Sequence, residues 1–275
     1  MDSFTGKTAV VTGAASGIGR ALVDRCLAEG MNVVLADIEQ QALDRTLQAL
    51  APVGSRVVGV HTDVSRPEDL DRLAEATIRT FGAVHLLFNN AGVGAGSTAW
   101  ESSLADWTWV IGVNLWGVIH GIRSFVPIML AQGEEGYVVN TASIAGLVKG
   151  HHSASYATTK HAVVALSEQL AVEFDRTGAR LKAAVLCPSW VNTRINESGR
   201  NRPAHLLDAS PLAPLTPEVI ARWEQLQAAV AQATPASVIA DFTFAGLRAG
   251  KLYLLPHPES QEWVRRRFEG IEKDF

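Results

Sequence analysis

The sequence predicts an α/β fold with a doubly wound parallel sheet of about seven strands, flanked by helices on both faces. Short β-branched apolar runs alternate with longer stretches of helical periodicity along the chain. The runs are apolar on both faces, as expected of strands covered by helices on both sides. A glycine-rich turn at residues 13–19 joins the first run to the first helical stretch, which is typical of a Rossmann fold.

The apolar runs predict strands at Thr8–Val11, Asn32–Ala36, Arg56–Val60, Val84–Phe88, Gly136–Asn140, Leu181–Leu186 and Leu252–Leu255. The helical patterns predict helices at Gly17–Glu29, Glu39–Leu50, Pro67–Phe81, Leu104–Ala131, Ser155–Thr177 and Pro235–Ala249. Ligands of such sheets bind at the carboxyl ends of the strands, where the strand order reverses.

No linker rich in proline, glycine or serine divides the 275 residues, so we expect one domain spanning 1–275. Residues 188–234 break the alternation, are rich in proline and contain one helical pattern at 217–231. A long excursion after a strand usually forms a lid or a binding loop, so we interpret 188–234 as a substrate lid. The residue pattern of the tail, 256–275, predicts a short helix.

The formal net charge of −4 gives no basic footprint, so we expect no nucleic-acid partner. The N-terminus lacks the apolar core of a signal peptide, and no uncharged apolar run reaches the ~18 residues of a membrane span. We therefore expect a cytoplasmic protein without a membrane partner. His151 and His152 have no supporting acidic or histidine cluster, so we predict no metal site.

The turn between the first strand and the first helix predicts a dinucleotide site. Gly13 permits the tight turn, Gly17 lets the backbone approach a pyrophosphate, and Gly19 lets helix and strand pack closely. The amides at the start of the helix, near Ser16 and Ile18, can then donate to the phosphates.

Two acidic residues follow the next strands. Asp37 lies 18 residues beyond Gly19, near the position where a carboxylate binds the ribose 2′-hydroxyl. Its charge would repel a 2′-phosphate, which favours NAD over NADP; alternatively, Asp37 caps the helix that begins near Glu39. Asp63, followed by Val64, is in place to hydrogen-bond an adenine amino group or, alternatively, to form a turn.

A tyrosine and a lysine four residues apart predict the chemistry. Tyr156 and Lys160 share one face of a helix. An ammonium beside a phenol lowers the phenol's pKa from about 10, so the tyrosine can exchange a proton with an alcohol near neutral pH. Ser143 lies 13 positions upstream of Tyr156. Together with the glycine-rich turn, these residues predict hydride transfer.

These motifs resemble the short-chain dehydrogenase/reductase family across nearly the whole chain. The matching residues, in the family's order and spacing, are Thr12-Gly13-(x)3-Gly17-Ile18-Gly19, Asn89-Asn90-Ala91-Gly92, Asn114, Ser143 and Tyr156-(x)3-Lys160. The resemblance implies catalysis by Asn114, Ser143, Tyr156 and Lys160. It implies that the cofactor contacts Gly13, Ser16, Gly17, Ile18, Gly19, Asp37, Asp63, Val64, Asn90, Ala91, Gly92, Tyr156, Lys160, Pro188, Val191 and Thr193.

The resemblance also implies individual roles. Tyr156 would be the acid/base, Ser143 would hydrogen-bond the substrate oxygen, and Lys160 would also bind the nicotinamide ribose. Asn114 would hold a relay water through its side chain or a neighbouring carbonyl, and Thr193 would contact the carboxamide. Each residue has a simpler alternative: Asn114 bonding a helix backbone, Ser143 a turn, and Tyr156 an interfacial aromatic.

The chain departs from the family pattern in two places. Pro188-Ser189-Trp190 stands where the family usually has Pro-Gly, and the C-terminus runs on through His257, Trp263 and Phe268. The second departure weakens the expectation of the family's usual tetramer, so we expect a homodimer or a homotetramer.

We therefore expect an NAD-dependent oxidoreductase that interconverts a hydrophobic secondary alcohol and its ketone. The alternatives are an NADP-dependent carbonyl reductase and a non-catalytic regulatory protein that senses NAD. The predicted substrate wall is mostly apolar and consists of Val93, Ala145, Leu147, Val148, His151, His152, Trp190, Leu206, Leu207, Leu212 and Leu215.

Overall fold

The computed structural model describes residues 1, 3–150, 153–207, 225, 228 and 230–275. Within these residues, seven parallel strands form one sheet in the order β3-β2-β1-β4-β5-β6-β7. The strands are β1 (Thr8–Thr12), β2 (Asn32–Asp37), β3 (Val57–His61), β4 (Leu86–Asn89), β5 (Gly136–Thr141), β6 (Leu181–Leu186) and β7 (Tyr253–Leu254). The predicted doubly wound Rossmann fold is confirmed.

Helices cover both faces of the sheet. They are α1 (Gly17–Ala28), α2 (Gln40–Ala49), α3 (Pro67–Phe81), α4 (Leu104–Ile111), α5 (Gly117–Gln132), α6 (Ala154–Thr177), α7 (Ala236–Arg248) and α8 (Glu259–Glu272). Short 3-10 helices lie at Ala51–Arg56, Ile144–Gly146, Ile195–Asn201 and Ala204–Leu206. The tail helix, α8, is 14 residues long.

The predicted helix Leu104–Ala131 is not continuous. A π-helical turn, Gly112–Trp116, separates α4 from α5, and the amide of Gly117 donates to the carbonyl of Gly112. Such turns in a helix often mark functional sites. The span Leu104–Gln132 is long and apolar enough to cross a membrane by composition alone, but it packs against α3 and α6 within the fold.

The core lies in two layers, one on each side of the sheet. Alternate residues of β1 separate the layers: Ala9 and Val11 pack with α1 and α7, whereas Val10 packs toward α3 and α5. Every residue of β1 and of β5 is buried. The continuous apolar runs in the sequence therefore reflect burial on both faces.

The site lies where the strand order reverses. β1 pairs with β2 on one side and with β4 on the other, so the chain turns in opposite directions on either side of β1. The residues that follow β1 and β4 consequently flank one crevice at the carboxyl edge of the sheet.

The predicted lid is described in part. After β6, the chain passes through two of the 3-10 helices before residue 207. Its two ends meet, because Val191 forms a parallel bridge with Thr234 and the amide of Asn192 donates to the carbonyl of Thr234. Most of the helix predicted at 217–231 lies outside the described residues.

Candidate active site

The glycine turn is closed too tightly for side chains. Gly13 and Gly17 have φ of 65° and 53°, a region that favours glycine. A Cβ at Gly19 would lie 2.0 Å from the carbonyl oxygen of Gly13, and one at Gly17 would lie 3.0 Å from Thr193 Cγ2. Gly13, Ser16, Gly17 and Ile18 line the crevice, so the first amides of α1 border a space where a ligand's phosphates would bind.

Thr12 and Asn90 join the glycine turn to the end of β4. Thr12 Oγ1 accepts hydrogen bonds from the amides of Asn90 and Ala91, at 2.9 and 3.0 Å. Asn90 Nδ2 in turn donates to the Thr12 carbonyl at 2.9 Å. These bonds fix the two strand ends of the crevice relative to each other.

Asp37 ends β2 with its carboxylate bonded to two backbone amides. Oδ2 accepts from Ala15 at 2.8 Å, and Oδ1 accepts from Glu39 at 2.9 Å. Burial raises the pKa of Asp37, and these amide bonds partly offset the increase. Asp37 bonds the amide of Glu39, the residue that precedes α2, and not an amide of the first helical turn, so the alternative interpretation as a helix cap is wrong. A carboxylate has about four acceptor sites, so ribose hydroxyls can still bind.

Asp63 forms a turn, as its alternative interpretation stated. Its Oδ1 accepts from the amide and the hydroxyl of Ser65, at 3.0 and 2.7 Å. Asp63 and Val64 both face the crevice.

Arg200 is a residue of the site that the sequence did not indicate. It lies in the predicted lid, 188–234, at 161 positions from Glu39, and its Nη2 is 2.7 Å from Glu39 Oε1. Asn201 Nδ2 donates to the same carboxylate oxygen at 3.0 Å. The guanidinium is near enough to Asp37 to lower its pKa electrostatically. A positive charge therefore lies at the predicted ribose end of the crevice.

Tyr156, Lys160 and Ser143 meet on one wall of the crevice. Lys160 Nζ lies 5.5 Å from the centre of the Tyr156 ring and donates to the carbonyl of Thr141 at 2.9 Å. Ser143 Oγ accepts from the amide of Ala145 at 3.1 Å, and its hydroxyl lies near enough to the phenol of Tyr156 to lower the phenol's pKa. The predicted shared face of the helix is present in α6.

The predicted direction of the phenol's pKa shift is wrong for this structure. Burial raises the pKa of Tyr156, and the nearby Ser143 hydroxyl offsets only part of the increase. The ammonium of Lys160 lies over the ring and bonds to Thr141. Burial also lowers the pKa of Lys160, to about 8.

Asn114 lies in the π-helical turn and is fully buried. Its Oδ1 accepts from the amide of Val93 at 2.8 Å, and its Nδ2 donates to the carbonyl of Val93 at 2.9 Å and to Thr159 Oγ1 at 3.3 Å. The side chain thus holds the backbone after β4, which leaves the main-chain carbonyl as the atom for the predicted relay water.

One cavity of about 560 Å³ joins these features. Of the predicted catalytic and cofactor residues, all except Gly19 and Asn114 line it. Gly19 packs against Gly13 behind the turn, and Asn114 lies behind Val93.

The predicted substrate wall is partly wrong. Val93 and Trp190 line the cavity, but Ala145, Leu147, Val148, Leu206 and Leu207 do not. The 3-10 turn at Ile144–Gly146 buries Ala145 and directs Leu147 and Val148 into the core beneath α6. His151, His152, Leu212 and Leu215 lie outside the described residues. The apolar lining that the sequence did not indicate is Trp109, Val113, Ile144, Ile195, Pro203 and Val230.

Comparison with known proteins identifies the family. A family model described as short chain dehydrogenase matches residues 7–204. A solved short chain dehydrogenase/reductase from Burkholderia phymatum, in complex with NAD, is 45% identical with a TM-score of 0.94, and the match covers 100% of this chain and 97% of that one.

Two curated relatives are dehydrogenases. A 1-deoxy-11-beta-hydroxypentalenate dehydrogenase of Streptomyces arenae is 40% identical over 195 residues, which is 70% of this chain and 69% of the relative. A 3beta-hydroxysteroid dehydrogenase 2 of Eggerthella lenta is 36% identical over 193 residues, 70% of this chain and 74% of the relative. The chain therefore belongs to the short-chain dehydrogenase/reductase family, the oxidoreductases that act on CH–OH groups with a nicotinamide dinucleotide.

Proposed function

We propose that the protein is an NAD-dependent dehydrogenase that interconverts a hydrophobic secondary alcohol and its ketone. The observation that carries the proposal is the shared cavity. It places the Ser143 hydroxyl, the Tyr156 phenol and the Lys160 ammonium in the same space as the glycine turn and Asp37. Acid–base groups and a dinucleotide cradle in one cavity suit hydride transfer.

The residues have complementary roles in alcohol oxidation. A nicotinamide dinucleotide held by the glycine turn and Asp37 would supply the acceptor for the hydride of the carbinol carbon. Ser143 donates a hydrogen bond to the alcohol oxygen, and Tyr156 as phenolate removes the hydroxyl proton while the carbon–oxygen double bond forms. In ketone reduction the phenol returns that proton.

The raised pKa of Tyr156 opposes formation of the phenolate that alcohol oxidation requires. In the structure the phenol is protonated at neutral pH, because burial raises its pKa. Nearby positive charge favours the phenolate. Lys160 supplies such a charge while it is protonated, and its lowered pKa of about 8 limits that range of pH.

The substrate end of the cavity is apolar. Val93, Trp109, Ile144 and Trp190 line the cavity together with Ser143 and Tyr156. Apolar walls with a few polar groups at one end select a hydrophobic ligand and orient its single oxygen. The names of the two curated relatives, a hydroxypentalenate and a hydroxysteroid dehydrogenase, agree with an alcohol on a carbon skeleton of this kind.

The cofactor preference depends on two opposing charges. The Asp37 carboxylate lies at the end of β2, where it would bind ribose hydroxyls and repel a 2′-phosphate. The NAD bound by the Burkholderia phymatum relative supports this preference. Arg200 favours the NADP alternative, but its guanidinium is paired with Glu39.

The Tyr156→Phe variant tests the proposal. The wild-type protein should reduce NAD in the presence of hydrophobic secondary alcohols, measured as NADH absorbance. We expect Tyr156→Phe to lose at least about 100-fold in kcat, since it lacks the acid–base group, and to bind NADH as the wild type does in a fluorescence titration. Turnover by the variant at the wild-type rate would refute the role of Tyr156.

A further inference from the structure

The two departures from the family pattern meet in the structure. His257, in the tail before α8, is buried with 6% of its surface exposed. Its Nδ1 lies 3.1 Å from the backbone nitrogen of Ser189. Its Nε2 lies 3.1 Å from Thr234 Oγ1. One histidine of the tail therefore contacts both ends of the lid.

The Ser189 amide belongs to the peptide group that also contacts the catalytic serine. The carbonyl of that same peptide, from Pro188, accepts from the amide of Ile144 at 2.9 Å. It also accepts a longer bond of 3.4 Å from Ser143 Oγ. His257 thus holds the N–H side of a peptide group whose C=O side holds Ser143 and the residue after it.

The direction of the Ser143 hydrogen depends on this peptide group. A serine hydroxyl has one hydrogen to donate. The Pro188 carbonyl competes for it with the phenol of Tyr156 and with a substrate oxygen. Rotation of the peptide group would therefore change the hydrogen bond that Ser143 offers to a substrate.

The partners of His257 determine its tautomer. A backbone N–H can only donate, so Nδ1 must accept from Ser189 and carry no hydrogen. Nε2 then carries the hydrogen of the neutral ring and donates to Thr234 Oγ1. The neutral ring therefore accepts a hydrogen bond from Ser189 through Nδ1 and donates one to Thr234 through Nε2.

We propose that His257 is a positioning residue: it holds the Pro188–Ser189 peptide group and thereby orients Ser143 for catalysis. The link from the C-terminal tail to the catalytic serine goes beyond the proposed reaction. Its kinetic consequence rests on the proposed function, whereas the hydrogen bonds themselves do not.

Two substitutions separate the two bonds of the ring. Asparagine places an acceptor oxygen near the position of Nδ1 and loses the group that reaches Thr234. Glutamine places a donor nitrogen near the position of Nε2 and loses the acceptor for Ser189. Ser260→Ala is the control in the same tail, because Ser260 Oγ is buried without a hydrogen-bond partner among the described residues.

We expect His257→Gln to lower kcat about 10- to 100-fold with a smaller change in KM, because misplacement of a catalytic group by about 1 Å can cost 100-fold. His257→Asn and Ser260→Ala should stay within about threefold of the wild type, as expected if only the bond to Ser189 matters. Equal losses in His257→Gln and His257→Asn, or wild-type kcat in His257→Gln, would overturn the proposal.

Amide hydrogen exchange gives a readout that needs no substrate. In His257→Gln, the amides of Ser189 and Ile144 should exchange faster than in the wild type, whereas His257→Asn should protect them. Unchanged protection in His257→Gln would overturn the proposal. If the wild type oxidised no alcohol, the proposed function would fail, and the exchange data would still decide whether His257 holds this peptide group.

Discussion

Lys160 places an ammonium where only 3% of the residue's surface is exposed. Its Nζ donates to the Thr141 carbonyl at 2.9 Å, and burial lowers its pKa to about 8. The charge that favours a phenolate on Tyr156 is therefore held at a cost to folding, because a buried ammonium loses its hydration. The proposed catalytic role and the stability of the protein therefore make opposite demands on this residue.

We therefore expect Lys160→Met to stabilise the protein in the absence of cofactor. The pKa of Lys160 falls from 10.5 when unfolded to about 8 when folded. Between these values the unfolded chain binds more protons, so the free energy of unfolding of the wild type rises with pH. Below about pH 8 the full penalty applies, on the order of 3 kcal/mol. Urea unfolding near neutral pH should show a gain of about 1–3 kcal/mol, reduced by the lost bond to Thr141.

The pH dependence identifies the cause of the gain. Near pH 9.5 the folded wild type has lost most of the Lys160 charge, so the advantage of Lys160→Met should fall to less than about half. Lys182→Met is the control, because Lys182 lies on β6 with its side chain exposed. Equal gains at both pH values would show that charge burial is not responsible.

The residue-scale chemistry was predictable only where it depended on spacing. Four positions separate Tyr156 from Lys160, which was sufficient to place them on one face of α6. The shifts in their pKa depend on burial by distant segments, and a residue 19 positions away, Thr141, accepts the lysine's hydrogen bond. Local spacing does not encode those contacts, so the sequence predicted the pair but not the direction of the phenol's shift.

At the scale of elements, the junction of β1 and α1 depends on the absence of a side chain at Gly19. A Cβ there would lie 2.0 Å from the Gly13 carbonyl oxygen and 2.6 Å from Asn90 Nδ2. Asn90 Nδ2 is held by its hydrogen bond to the Thr12 carbonyl, and Gly13 follows Thr12 directly in the chain.

Gly19→Ala should therefore destabilise the protein and weaken cofactor binding. We expect the free energy of unfolding to fall by about 1–3 kcal/mol, as for other overpacked sites, and the affinity for NADH to fall at least about tenfold, since the amides of the turn must shift. Thermal unfolding and a fluorescence titration measure the two effects.

Gly270→Ala is the matched control. It lies on α8, where an added Cβ meets nothing within 4 Å among the described residues. Alanine favours a helix over glycine by about 1 kcal/mol, so this variant should be as stable as the wild type or more so. Wild-type NADH affinity in Gly19→Ala would contradict the role given to the turn.

The elements themselves were largely predictable, because strands covered on both faces give apolar runs and amphipathic helices give a period of 3.6 residues. The π-helical turn was not predictable. It places Asn114 against Val93, a contact between residues 21 positions apart that helical periodicity does not record. Similarly, β7 is shorter than predicted, since its two residues pair only with Val185 and Leu186 at the edge of the sheet.

At the scale of the whole molecule, the predicted lid brings the guanidinium of Arg200 to the carboxylates of Asp37 and Glu39 at the end of β2. Arg200 pairs with Glu39 across 161 positions of sequence, and both line the cavity with Asp37. The cofactor preference inferred from the charge of Asp37 alone omitted this positive charge. The contact between Arg200 and the end of β2 forms only in the folded protein, and it affects the choice between NAD and NADP.

Asp37→Asn should shift the cofactor preference toward NADP. The amide oxygen of asparagine can still accept one of the two backbone bonds, but the negative charge is lost. We expect the ratio of the Kd for NADP to the Kd for NAD to fall at least about fivefold, because a unit charge near a phosphate contributes about 1 kcal/mol or more. Adding Arg200→Ala to Asp37→Asn should reverse most of that shift by weakening NADP binding, and the reversal should diminish at high salt. Titrations of the wild type, both single variants and the double variant with NAD and with NADP measure these ratios. Tighter binding of NADP than of NAD by the wild type would contradict the preference assigned to Asp37, and loss of that tighter binding in Arg200→Ala would assign it to Arg200.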